Sequence, residues 1–424
     1  MKKLIMYSLY SLFTFHFSLS TLKAQGTWTS RDTLPHDTNA MYQGIPGFSI
    51  GSYGYAGIGE HSGPYIKLDD FWQFNPSNNS WAKKASFPGM ARVAPACFVI
   101  CDKAYLVTGS VSNGRACVTE CWEYDATNNT WTQKANFPGS ARTYAVGFAI
   151  NGKGFVGTGA NELSDFRKDF YRYNPDSNTW TRVADFGGIA RSGACGFSVN
   201  GKGYVCFGQD STIKFYKDIW QYDPGTNTWS QKSDYPSEGI LSPSGFVICN
   251  NIYVGIADSE GTDLDRRFWK YNTIINTWSQ ETNFSGNTTF AGTSFAINDT
   301  GYYGFGDDSI FTTKNKFYKF FAGDTCMNTD TCKIGEGYWE ISNDRSINIY
   351  PNPANTILNL NFKGQQTGLA TLIIMDITGR EISTYKLSIN NHQITTNVSF
   401  LSSGMYFINI KNKGINVTQK FIKQ

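Results

Sequence analysis

Two aromatic residues flanking a single residue return six times along this 424-residue chain: Trp72-Gln73-Phe74, Trp122-Glu123-Tyr124, Tyr171-Arg172-Tyr173, Trp220-Gln221-Tyr222, Trp269-Lys270-Tyr271 and Tyr318-Lys319-Phe320. Successive copies are 50, 49, 49, 49 and 49 residues apart. A period of this size means one supersecondary unit used repeatedly, too small to bury its own apolar face and stable only against its neighbours.

Ahead of each triplet lie two apolar strands around a turn, the second ending in glycine. Gly147-Phe148-Ala149-Ile150-Asn151-Gly152-Lys153-Gly154-Phe155-Val156-Gly157-Thr158-Gly159 is the clearest copy. Period-two alternation with Asn-Gly at the turn is a strong hairpin signal. After five of the triplets a polar turn leads to a tryptophan, at Trp81, Trp131, Trp180, Trp229 and Trp278. Each unit is thus four antiparallel strands, and six of them predict an all-β, six-bladed β-propeller over residues 25–322. Composition agrees, with 16% aromatic residues, 42 glycines and only 17% charged residues favouring short strands and tight turns. The sixth unit lacks its tryptophan. Trp28 has no strands of its own before it, so the N-terminal strand is expected to complete the sixth blade and cover its open edge.

The glycine-ended second strand, the aromatic third strand and the tryptophan on the fourth, recurring together at this spacing, resemble the kelch family. One departure is that the family's adjacent Gly-Gly doublet is here Gly57-Ile58-Gly59, Gly157-Thr158-Gly159 and Gly304-Phe305-Gly306, and degrades to Ala257 in blade five.

The two ends read differently. Residues 1–24 carry Lys2 and Lys3, an apolar stretch and Leu22-Lys23-Ala24, the layout of a signal peptide removed near Ala24. No cysteine follows at once, which argues against a lipoprotein anchor, and no transmembrane anchor is expected in the mature protein. At residues 323–345 the repeat stops, giving a polar linker whose Cys326 and Cys332 are the candidate disulfide of an exported protein. Residues 346–424 consist of short alternating strands suited to a small Ig-like β-sandwich. This segment opens on Tyr350-Pro351-Asn352-Pro353, continues through Asp376-Ile377-Thr378-Gly379-Arg380 and Gly404-Met405-Tyr406-Phe407, and ends on Lys420-Phe421-Ile422-Lys423. These motifs, in this order, resemble the type A sorting domain of the type IX secretion system of Bacteroidetes. The resemblance implies the secretion machinery as a partner, passage through the periplasm, and release or attachment at the outer surface.

The formal net charge is +3. The signal segment holds three lysines and no acid, and the tail from Ser346 holds seven basic residues against Asp376 and Glu381, so the region between them is net acidic. That argues against nucleic acid as a partner. Nine cysteines are too few for a dense disulfide framework in a chain of this length. No cofactor is expected: a copper site of the galactose-oxidase type needs two histidines with tyrosines, and the propeller segment offers only His36 and His61.

In a blade, the loops joining strands two and three share one end with the loops that lead into strand one. The turns at the other end are near-uniform, as folding alone requires. The loops at 60–68, 111–119, 161–168, 209–217, 258–265 and 307–316 vary, and variation on a repeated scaffold marks recognition. Arg92, Arg142 and Arg191, each after Gly-x-Ala, belong to this end and are the candidate ligand-binding residues, suited to carboxylates or acidic sugars at the channel mouth, the alternative being that they cap carbonyls of neighbouring loops. The expected function is non-catalytic binding of a protein or glycan, with no catalytic residues assigned. The alternative is a sugar epimerase or mutarotase, an activity some kelch propellers support, which would need a paired acid and base at the mouth.

Overall fold

The computed structural model describes residues 26–31, 42–44, 46–61, 66–112, 116–259, 262–286, 291–306, 316–323, 347–362, 368–376, 381–389, 393–412 and 415–424. The signal segment, the linker with Cys326 and Cys332, and Gly379 lie outside the described residues.

Every regular element among the described residues is a strand. Blade three shows the plan: Val146–Ile150, Lys153–Gly157, Phe170–Asn174 and Thr179–Val183 pair antiparallel in chain order. The inner strand alternates buried and half-buried residues, as expected of a strand packed on neighbours at both faces. Blades one, two and four repeat the plan. In blade six, Thr293–Ile297, Thr300–Gly304 and Phe317–Phe321 are completed by Thr27–Arg31 from the N-terminus, with Trp28 opposite Phe320.

Stability resides between blades. A separate apolar cluster lies between each consecutive pair, including one where Phe295, Tyr302 and Phe317 of blade six meet Ala56, Trp72 and Phe74 of blade one. Glycine on the second strand makes room for this packing. A Cβ on Gly154 would lie 2.2 Å from the ring of Phe98 in the preceding blade, and one on Gly203 would lie 2.4 Å from Phe148.

The polar turns that look merely local join blades as well. Asn178, at φ 52°, accepts from Tyr173 Oη at 2.8 Å and from the Ala135 amide of the preceding blade at 2.9 Å. Trp180 Nε1 donates to the Ala135 carbonyl at 2.8 Å. Trp131, Trp229 and Trp278 reach back in the same way to Ala85, Ala184 and Ser233. Trp28 donates to Thr282 at 3.1 Å, so the N-terminal strand supplies the blade-six copy of this tie.

The altered glycine doublet has a conformational account. Ile58, Thr108, Thr158, Phe207, Ile256 and Phe305, equivalent in the six blades, all have φ between 53° and 67°. A left-handed turn is required there, and non-glycine residues adopt it at a cost of about 1–2 kcal/mol each. Packing between the blades must offset that strain.

The tail forms two sheets. Ile347–Tyr350, Ile357–Phe362 and Gln393–Asn397 make one, while Glu381–Ile389, Gly368–Met375, Gly404–Asn412 and Ile415–Lys423 make the other. Leu358, Leu360 and Ile394 from the first pack with Leu372, Ile374, Ile408, Ile410 and Phe421 from the second.

Candidate functional site

At the variable-loop end, the inner strands are led in by residues in left-handed conformation: Gly44, Ala94, Tyr144, Gly193, Ser242 and Ala291. Their backbones join across blades. Ala94, Tyr144, Gly193 and Ser242 each donate N–H to the carbonyl of the equivalent residue one blade earlier, at 2.8–3.3 Å. Gly44 donates to Ala291 at 3.2 Å, carrying this belt from blade six to blade one.

The three arginines occupy the layer beneath this belt and are fully buried. This corrects the anion-binding expectation. Arg142 holds Asp169 through both guanidinium nitrogens, at 2.6 and 3.0 Å, and Arg191 holds Asp218 at 2.5 and 2.9 Å. Arg92 is paired with Glu120. Further N–H groups go to carbonyls, with Nε donating to Met90, Ser140 or Ile189 and Nη1 donating to Thr108, Thr158 or Phe207, and Arg142 Nη2 also donates to Ser140 Oγ at 3.1 Å. Phe87, Phe137 and Phe186 lie against the guanidiniums at 4.9–5.0 Å. Each arginine therefore ties the loop leading into its blade to the loop between strands two and three of that blade. Burial lowers the Arg92 pKa from its ordinary value. Burial would raise the Glu120 carboxyl, but hydrogen bonds from Arg92 and Trp122 hold it below its ordinary value. In blade five, one repeat on from Arg191 and Asp218, the pair is replaced by Ile240 and Arg267, and Arg267 turns instead to Asp265 at 2.7 Å.

Among the polar residues this end presents outward are several large apolar side chains. Met90 and Ile189, each two residues before a buried arginine, are 53% and 56% exposed, and Tyr144 on the belt is 41% exposed. Leu163 and Ile213, in the loops between strands two and three of blades three and four, are 81% and 73% exposed. The alternating pattern of the strands gave no signal for these positions. The cue lay in bulky apolar residues placed between turn residues. Beside them, Asp210 accepts from Thr212 and from Tyr216 Oη, which hold its carboxyl down to about 2 despite some desolvation. The Tyr216 ring in turn covers Arg191 at 4.2 Å. Blade five differs from the expected loop at 258–265. Its second and third strands extend into one long hairpin, Asn251–Ser259 with Thr262–Asn272, on which Ile240–Leu241 adds a further strand. Among the described residues, no group of three or more His, Cys, Asp and Glu is arranged to hold a metal ion.

Five described cysteines, Cys97, Cys117, Cys121, Cys195 and Cys206, are free thiols, while Cys101 and Cys249 are disulfide-bonded.

In the tail, motifs far apart in sequence meet. Asn352 Oδ1 accepts the Ile422 amide at 2.9 Å, the Ala354 amide donates to the Ile422 carbonyl at 2.7 Å, and the Gln424 amide donates to Ala354 at 2.9 Å. The Pro351 and Pro353 positions flank Asn352 within this junction. On the next strand Gly404 lies opposite Lys423, Tyr406 opposite Phe421 and Phe407 opposite Lys420. The rings of Tyr406 and Phe421 stack at 5.7 Å, and Tyr350 Oη accepts from Gln393 at 3.1 Å. The opening motif, the glycine-tyrosine strand and the C-terminal strand thus form one edge of the sandwich.

Four-stranded blades with uniform turns at one end and varied loops at the other, followed by a two-sheet tail, define a propeller-type protein with an appended terminal domain. Residues 48–254 match the family model for the KLHDC2/KLHL20/DRC7 Kelch-repeats domain, and residues 348–424 match that for the Secretion system C-terminal sorting domain. The chain is a kelch-repeat protein with a type IX secretion sorting tail. Among solved structures it is similar to one described as "Structure of YjhT", at 14% identity and TM-score 0.58, covering 68% of this chain and 95% of that one. This likeness concerns the fold. No curated protein matches the chain.

Proposed function

We propose that this protein is a non-catalytic binding module, exported by the type IX machinery and released or held at the outer surface, that takes a protein or glycan ligand on its variable-loop end. The observation that carries the reading is the contrast within that end: its arginines are internal ties, while Leu163 and Ile213 are exposed on the varied loops and Met90, Tyr144 and Ile189 on the segments leading into the inner strands. Exposed apolar side chains on a rigid scaffold are the makings of an interface core.

The test is binding of the full chain to a glycan array and to surface extracts of its native host, compared with Leu163→Asp and Ile213→Asp variants. Equal binding by the variants would remove the proposed face. Export has its own test, deletion of residues 346–424 in the native host, for which periplasmic retention is expected. Normal surface appearance of the truncated protein would refute export through the tail.

A further inference from the structure

The inner strand of blade four begins at Cys195 and its second strand ends at Cys206, and the antiparallel register sets the two directly opposite each other. Their Sγ atoms lie 3.3 Å apart, and both are free thiols. Cys195 is half-buried and Cys206 is buried. A disulfide needs Cα atoms about 4.4–6.8 Å apart and sulfurs at about 2.05 Å. Directly opposed strand residues lie about 4.5–5.5 Å apart at Cα, so the backbone already fits and only the sulfurs need to approach, by about 1.3 Å.

We propose that Cys195 and Cys206 are a cross-strand redox pair that closes to a disulfide when the folded protein meets a disulfide oxidant. Cys195, the more accessible thiol, gives its proton to solvent and attacks one sulfur of the oxidant's disulfide. This forms a mixed disulfide and frees one oxidant thiolate. Cys206 then gives up its proton and attacks Cys195 Sγ, displacing the second oxidant thiolate. Two electrons pass from the pair to the oxidant, which takes up two protons as a dithiol. The order follows from accessibility: half-buried Cys195 meets the oxidant first, and buried Cys206, whose sulfur already lies against Cys195 Sγ, acts second. Disulfide-bonded Cys101 and Cys249 in the same chain, and the sorting tail, point to an oxidising destination. Closure would pin the loop end of blade four beside Phe207, whose carbonyl accepts from Arg191 at 3.0 Å.

The experiment uses the full chain collected outside native cells, quenched in acid, alkylated under denaturation and digested with trypsin without reduction. Cleavage after Arg191, Lys202 and Lys214 places the two cysteines on separate peptides, 192–202 and 203–214. The expected result is these peptides recovered linked to each other, and released by reduction. Full-length protein purified reduced and treated with oxidised glutathione should give the same linked pair, and this arm holds whether or not export occurs. Recovery of both peptides singly alkylated after glutathione treatment, or of either joined to another cysteine, would overturn the proposal. A Cys195→Ser variant should lose the linked pair and any oxidant-dependent rise in Tm.

Discussion

Arg142 grips Asp169 through two hydrogen bonds, Nη1 to Oδ1 at 2.6 Å and Nη2 to Oδ2 at 3.0 Å, with the guanidinium fully buried against Phe137. The same tie is built by Arg191 with Asp218 and, through one nitrogen, by Arg92 with Glu120. In blades two, three and four, a loop end of varied sequence is thereby held from beneath by a recurring polar tie.

Breaking one such tie from the acid side should be costly, because it strands a buried cation. Asp169→Asn is predicted to destabilise the protein by about 3 kcal/mol. Removing both partners in Asp169→Asn/Arg142→Met should recover much of the loss, since burying two apolar or neutral groups avoids the unpaired charge. Urea unfolding of the three proteins measures this. A double variant as unstable as the single one would show that the pair acts through something other than charge.

Trp28 packs within about 5 Å of Phe268, Phe284 and Phe320 and donates to Thr282. Trp28→Ala is predicted to cost about 3 kcal/mol and to expose the edge of Phe317–Phe321 to pairing with other chains. Unfolding curves and light scattering on heating would check both effects, and an unchanged scattering onset would count against the edge role.

Acid should weaken the propeller through its paired carboxylates. Glu123 is nearly buried and accepts from Lys103 at 2.9 Å and Tyr105 at 2.7 Å. Burial favours its neutral form, but these bonds together with Lys134 hold its pKa below the ordinary value. Glu120, Asp125 and Asp223 are also lowered, and Asp210 to about 2. A carboxylate depressed in the native state contributes stability above its unfolded pKa, about 4, and loses it as pH falls through the folded value. Urea midpoints are therefore predicted to hold from neutral pH to about 5 and then fall toward pH 2. Glu123→Gln should flatten part of that acid limb, and an identical pH profile would exclude Glu123 from it.

Asn352 joins the opening motif of the tail to the Ile422 amide. Asn352→Ala leaves the core of the sandwich intact, so it is predicted to reduce export while the purified variant keeps a wild-type propeller melt. Secreted and periplasmic fractions, compared by immunoblot, provide the measurement. Wild-type secretion would mean that this junction is not read by the machinery.

The six-fold repeat, the four strands of each unit, the sixth tryptophan supplied by Trp28 and the separate tail were all legible in the chain. Each follows from local chemistry: period-two alternation, turn residues, and a spacing that repeats because one backbone unit repeats. Partner choice was not legible. Whether Arg92, Arg142 and Arg191 face a channel or an internal acid depends on two loops converging from positions 27 or 28 residues apart. Nothing in the spacing of either loop states the outcome. The same holds for the left-handed turns taken by Ile58 and Thr158 and for the tail edge shared by Asn352 and Ile422. It also holds for the sulfur contact of Cys195 and Cys206, eleven residues apart on paired strands. By itself the sequence determined the number of blades and the order of domains, because short-range periodicity encodes them. Only the tertiary structure decided which polar groups are internal ties and which surface is left outward, because burial and pairing depend on the whole arrangement of neighbours.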